Sequence, residues 1–235
     1  MTTELSLFSG AGGGLLATKW LLGSTIVGYV ERDEYCQKVL RARIRDGLLD
    51  DAPIFSDVRT FNGRPYRGRV DCITAGFPCQ PFSVAGKRKG ADDERNGWPD
   101  TIRIIREVQP QFCFLENVPG LLSEYFSVVL GDLAEAGFDA QWCVLGASDV
   151  GANHRRKRLW ILADSHKVRS HDTSPKRELE GKRSCQSCWW AIEPNMGRVA
   201  HGVARRVDRL KALGNGQVPL VAKTAFEKMV SECQL

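Results

Sequence analysis

The chain has 235 residues, 43% of them hydrophobic, and its 33 Lys+Arg against 28 Asp+Glu give a formal net charge of +5. That length supports one good core with a small appendage and excludes two full domains. There is no apolar run of about 18 residues, and the opening MTTELSLFSG lacks a basic stretch leading into a long apolar one, so a soluble, cytoplasmic protein without a membrane partner is expected.

The charge is unevenly spread. Residues 151 to 211 carry 15 Lys+Arg against 6 Asp+Glu, and the remainder carries 18 against 22. A basic segment on a slightly acidic body is the electrostatic footprint of a polyanion binder, and a solvated basic face is the plainer alternative. Binding through it should weaken as salt is raised.

In chain order, LSLF (5–8), TIVGYV (25–30), APIF (52–55), DCITA (71–75), FCFLE (112–116), WCVLG (142–146) and LWILA (159–163) are short apolar runs that predict strands. Between them, residues 15–22, 34–45, 101–108 and 126–136 space their apolar side chains by three and four, which predicts helices. The alternation implies right-handed βαβ units, hence an α/β fold with a doubly wound, mostly parallel seven-stranded sheet. The pattern stops after Asp164. Residues 165–200 are expected to form a variable segment, with order resuming near Trp189 and Trp190, and residues 201–235 to pack back on the 1–164 body through a closing helix over 218–230.

The first strand runs into Ser9-Gly10-Ala11-Gly12-Gly13-Gly14 and then a helix, the setting in which glycines let a backbone approach a nucleotide at a helix N-terminus. Glu31 ends the second strand, where an acid can accept from ribose hydroxyls, and Asp57 ends the third, where it could take an adenine amino group. Strand ends one to three converge in a doubly wound sheet, so the three features together point to an adenosine-bearing ligand. GAGGG lacks the third glycine of a dinucleotide loop and does not favour NAD.

Cys79 lies in GFPCQPF, between two prolines that stiffen the loop and aim its thiol. Cys36, Cys72, Cys113 and Cys143 sit singly in apolar or helix-like segments, and the lone Cys185-Gln-Ser-Cys188 spacing is a weak zinc signal, so no metal is expected. Glu116 follows the fifth strand and should reach the same rim as Cys79. Arg156 and Arg158 alternate onto one face if extended, supplying positive charge to a thiolate.

FSGAGG, the Glu31 strand end, GFPCQPFS, LENVPG, HRRKR and LGNGQVP occur in that order, and the set resembles the successive motifs of the DNA cytosine-5 methyltransferases over nearly the whole chain apart from roughly residues 165–200. The resemblance implies a Rossmann-like class I methyltransferase fold, S-adenosylmethionine as cofactor, and double-stranded DNA as substrate. It further implies that Cys79 attacks C6 of a flipped-out cytosine, that Glu116 holds and protonates N3, and that Arg158 supports O2, with Arg156 close by. Phe8, Gly10, Gly12, Glu31, Asp57, Val58 and Asn215 would line the cofactor site. Ser6 stands where many members have an acid, His154 replaces the usual glutamine, and the recognition segment is short. A monomer is expected, target recognition by a partner in trans stays open, and a place in bacterial or phage restriction-modification is implied. Methylation of tRNA and a non-catalytic DNA-binding module are the alternatives.

Overall fold

The computed structural model describes residues 2–78, 96–165 and 206–232. Seven strands form one sheet in the order β3-β2-β1-β4-β5-β7-β6. They are β1 (Thr3–Leu7), β2 (Thr25–Val30), β3 (Ile54–Phe55), β4 (Cys72–Ala75), β5 (Phe112–Asn117), β6 (Phe138–Leu145) and β7 (Arg158–Ser165). The helices are α1 (Gly13–Leu15), continued by a π-helical turn over Leu16–Leu21, then α2 (Glu34–Arg45), α3 (Trp98–Val108), α4 (Leu121–Glu124), α5 (Phe126–Glu135), α6 (Arg206–Asn215) and α7 (Pro219–Glu232). No helix among the described residues is long and apolar enough to cross a membrane.

All seven expected strands form, and the pairings β1·β2, β1·β4, β2·β3 and β4·β5 are parallel. β7 runs antiparallel to both β5 and β6. The cause is local: only residues 146–157 connect β6 to β7, without a crossover helix to return the chain to the same edge. β6 begins four residues earlier than its apolar run suggests, because the edge segment Phe138-Asp-Ala-Gln pairs with residues 162–165 through backbone bonds that its mixed side chains do not advertise. β3 is only two residues long. Pro53 before it lends its carbonyl to the Tyr29 N–H but has no N–H to extend the ladder.

The alternation of side chains divides the sheet's two faces. One face, with Leu5, Leu7, Ile73, Leu115 and Ile161, packs against Ile102, Ile105 and Val108 of α3 and Val129 and Leu133 of α5. The other, with Cys72, Phe114, Trp160 and Leu162, is covered by Val221, Ala222, Ala225 and Met229 of α7, which accounts for the closing helix. A helix at 206–215 was not expected. Its Val207 and Leu213 are 77% and 75% exposed, so it has no apolar stripe for a periodicity test to detect. The expected return of order near Trp189 and Trp190 lies outside the described residues.

Candidate active site

The glycine loop is shaped by backbone conformations that few residues tolerate. Gly12 has φ 91° as it caps α1, and Phe8, just beyond β1, has φ 52°, a strained value for a bulky residue. Gly13 and Gly14 serve a different end. A Cβ on Gly13 would lie 3.0 Å from the Gln217 carbonyl oxygen, and one on Gly14 would lie 2.4 Å from Gln217 Oε1. The loop is therefore glycine-rich partly to admit the far end of the chain.

Glu31 locks this loop to the next. Its Oε2 accepts from the Gly10 N–H at 2.7 Å and its Oε1 from the Asp33 N–H at 2.7 Å. Each oxygen keeps a further lone pair for an incoming hydroxyl. Asp33 in turn caps α2, accepting from the Tyr35 and Cys36 N–H groups, and its Oδ2 takes a 2.7 Å bond from Lys211 of α6. The Lys211 bond leads the effects that hold the Asp33 carboxyl below its ordinary range.

Asp57 follows β3 as expected, but its carboxylate is chelated by Arg59, with Nε at 3.0 and 3.1 Å from its two oxygens and Nη2 at 2.6 Å from Oδ2. This pairing lowers the Asp57 pKa to about 2. The Val58 carbonyl accepts from Arg103 at 2.7 Å, which fixes the same turn to α3.

At the other half of the rim, Glu116 is 9% exposed at the end of β5, and its Oε1 lies 2.7 Å from Arg158 Nε. Burial pushes the Glu116 pKa up, and Arg158, Arg156 and a hydrogen bond from Gln217 restrain the rise. Asn117 stiffens the neighbouring loop, donating to the Phe77 carbonyl at 3.1 Å and accepting from the Val118 N–H at 2.8 Å. The Pro78 carbonyl accepts from the Gly97 N–H at 3.0 Å. Cys79 itself lies outside the described residues, as do Cys185 and Cys188.

The two arginines part company. Arg158 reaches Glu116, whereas Arg156 donates from Nη1 to the Gly214 carbonyl at 2.9 Å and from Nη2 to the Gly216 carbonyl at 2.6 Å. Arg156 thereby ties the end of α6 to the loop before β7, and its geometry is that of a positioning residue. Asn215 and Gln217 are delivered by this tie. Of the two, sequence reasoning selected only Asn215; Gln217, two residues on in the same LGNGQVP stretch, touches both Glu116 and the glycine loop.

Among the described residues a cavity of about 60 Å³ joins the two halves, lined by Ser6, Phe8, Gly10, Thr18, Thr74, Glu116, Asn215 and Gln217 among others. A larger open hollow of about 790 Å³ lies beside Phe55, Phe61 and Tyr66, with Asp57 at its rim. The smaller cavity is the better candidate site, because four expected site residues, Phe8, Gly10, Glu116 and Asn215, converge on it, whereas Gly12, Glu31, Asp57, Val58, Arg156 and Arg158 do not line it.

The family model for C-5 cytosine-specific DNA methylase matches residues 2–216. Type II methyltransferase M.CviJI of Paramecium bursaria Chlorella virus IL3A is 38% identical over 162 residues, covering 68% of this chain and 42% of that protein. Type II methyltransferase M.NgoMIV of Neisseria gonorrhoeae is 36% identical over 165 residues, covering 68% and 51%. The chain thus spans about half the length of these relatives. A crystal structure of a Spodoptera frugiperda DNMT2 mutant aligns with TM-score 0.59 and 24% identity over 76% of this chain and 54% of that one, a likeness of fold alone. With the family's model matched across most of its length, the chain belongs to the C-5 cytosine-specific DNA methylase family.

Proposed function

We propose that this chain carries the cofactor-binding and catalytic part of an S-adenosylmethionine-dependent DNA cytosine-5 methyltransferase. The observation that carries the proposal is the pairing of buried Glu116 with half-buried Arg158, set at the strand ends beside the glycine loop and joined to it by Gln217.

The residues present fit the cofactor. Glu31 offers acceptors for ribose hydroxyls, Phe8 and Val58 offer apolar surface for adenine, Gly10 and Gly12 let the backbone approach, and Asn215 closes the cavity from the C-terminal side. Asp57, chelated by Arg59, would contribute to the adenine end through its remaining lone pairs. When bound, S-adenosylmethionine supplies an electrophilic methyl group.

The chain's own residues account for the rest. The Cys79 thiolate adds to C6 of an extruded cytosine while Glu116 donates its proton to N3, so the ring gains no net negative charge and C5 becomes nucleophilic. Arg158 holds O2 and, through its bond to Glu116, fixes the donor's direction. After C5 is methylated, loss of the C5 proton to solvent, elimination at C6 and return of the N3 proton to Glu116 restore the Cys79 thiolate and the acid. Arg156 holds the 214–217 segment in place. A recognition partner acting in trans would add base readout to the few residues of 165–200, and the virus and bacterial relatives suit a cytoplasmic restriction-modification setting.

The test is transfer from methyl-labelled S-adenosylmethionine to duplex DNA and, in parallel, to total tRNA, with Cys79→Ala beside the parent chain. Label in DNA as 5-methylcytosine, absent with the variant, is expected. Label in tRNA alone would change the substrate, and label surviving in the variant would remove Cys79 as nucleophile.

A further inference from the structure

Glu4 is a puzzle that the mechanism above leaves unused. It is 1% exposed as the second residue of β1, and its Oε2 has no hydrogen-bond partner among the described residues. Its Oε1 accepts from the Thr74 hydroxyl at 2.6 Å. The Thr18 and Ser24 hydroxyls also approach the carboxyl without giving Oε2 a well-formed bond. A buried acid left partly unsatisfied costs stability, so its presence calls for a reason other than packing.

Its position supplies one. Glu4 and Ser6 share a face of β1, and Ser6 is level with Thr74 in the parallel register. Ser6, Thr74 and Thr18 line the glycine-loop cavity, and the Glu4 carboxyl stands immediately behind Thr74. A hydroxyl has one proton to give. Thr74 spends its proton on Glu4, so it turns only lone pairs to the cavity. Ser9 shares its one proton within the same floor, between the Ser6 carbonyl at 3.0 Å and the Ser6 hydroxyl at 3.1 Å. At Thr74 the floor thus turns acceptors to the cavity with the Glu4 carboxyl behind them, an arrangement that suits a cationic hydrogen-bond donor.

We infer that Glu4 is a positioning residue for the cofactor's α-ammonium group, acting through the Thr74 hydroxyl from the strand position two before Ser6. The inference rests on the cofactor reading above. Ser6 carries no acid, and Glu4 places a carboxyl on the same face one side-chain row further from the strand end, where an incoming ammonium favours its ionised form.

The experiment measures binding by calorimetry of two probes, S-adenosylhomocysteine and its analogue lacking the α-amino group, to the parent chain, Glu4→Gln and Thr74→Val. For the parent, the amino compound should bind the more tightly. Both substitutions should weaken it by about ten-fold, in keeping with a lost hydrogen bond to a charged group, while leaving the desamino analogue within about two-fold. Equal losses for both probes would overturn the role of Glu4 and mark it as structural, as would unchanged binding of both. Failure of the parent chain to bind either probe would overturn the cofactor reading along with it. Thr74→Val keeps the question answerable if Glu4→Gln does not fold, because its side chain lines the cavity and is close to isosteric.

Discussion

The two faces of the sheet use the same strands for opposite purposes. Toward α3 and α5, β1, β4 and β5 present Leu5, Leu7, Ile73 and Leu115, all at most 1% exposed, and the face is a dry core. Toward α1 and α7 the alternate residues of those strands are Glu4, Ser6, Thr74, Phe114 and Glu116, so polar groups sit among the packed rings of Phe114 and Trp160. A period of two places these sets on opposite sides without further instruction. One face holds the sheet together, and the other carries buried acids at a cavity, Glu116 in its lining and Glu4 behind Thr74.

The comparison is broken most severely at Glu116. Glu116→Gln keeps the shape but removes the titratable proton, and single-turnover methyl transfer should fall by at least about 100-fold with S-adenosylhomocysteine binding little changed. A proportionate loss of cofactor binding would place Glu116 in the cofactor site instead.

Stability separates the faces next. Leu115→Ala on the dry face should cost about 2–5 kcal/mol in urea unfolding, independent of pH. Glu4→Gln should behave differently. Burial raises the Glu4 pKa to about 7 from 4.5. The folded state then holds its proton more tightly than the unfolded chain, so the parent loses stability as pH rises from about 4.5 to 7, by up to about 3 kcal/mol. Glutamine has no such penalty, and the variant should gain on the parent between pH 5 and pH 8. The titratable and charged neighbours are Asp50, Lys19, Tyr29 and Cys72. Burial pulls Asp50 up, but the Lys19 and Ile26 bonds outweigh it and leave it low, while burial raises Tyr29 and Cys72 away from this window. A pH-independent difference would sink the assignment.

The smallest effect is expected at the tie between α6 and α2. Lys211 is 62% exposed where it meets Asp33, so Lys211→Ala should cost no more than about 1 kcal/mol and should do less at high salt. A larger loss would mean that α6 depends on this bond to hold Asn215 and Gln217.

Much of this organisation was legible beforehand. The strands announced themselves as apolar runs, and FSGAGG, Glu31 and LENVPG fell at strand ends where the doubly wound rule puts ligands. The misses share a cause. The reversal of β7 and the early start of β6 are set by connection length and backbone pairing, and α6 exposes its apolar residues, so none of the three leaves a hydrophobic signature. Arg156 and Arg158 looked equivalent at spacing two, yet one found a carboxylate and the other two carbonyls that lie 58 and 60 residues away.

The sequence by itself determined the family, the sheet and the residue types at the rim, since local patterning and ordered motifs are properties of neighbours in the chain. Only the tertiary structure decided that Gln217 fills the space of two missing side chains, that Arg156 braces the 214–216 turn, and that Glu4 stands behind Thr74. Those are contacts between segments far apart in the chain, and their geometry exists only once the sheet has brought β1, β4 and the far end of the chain to one cavity.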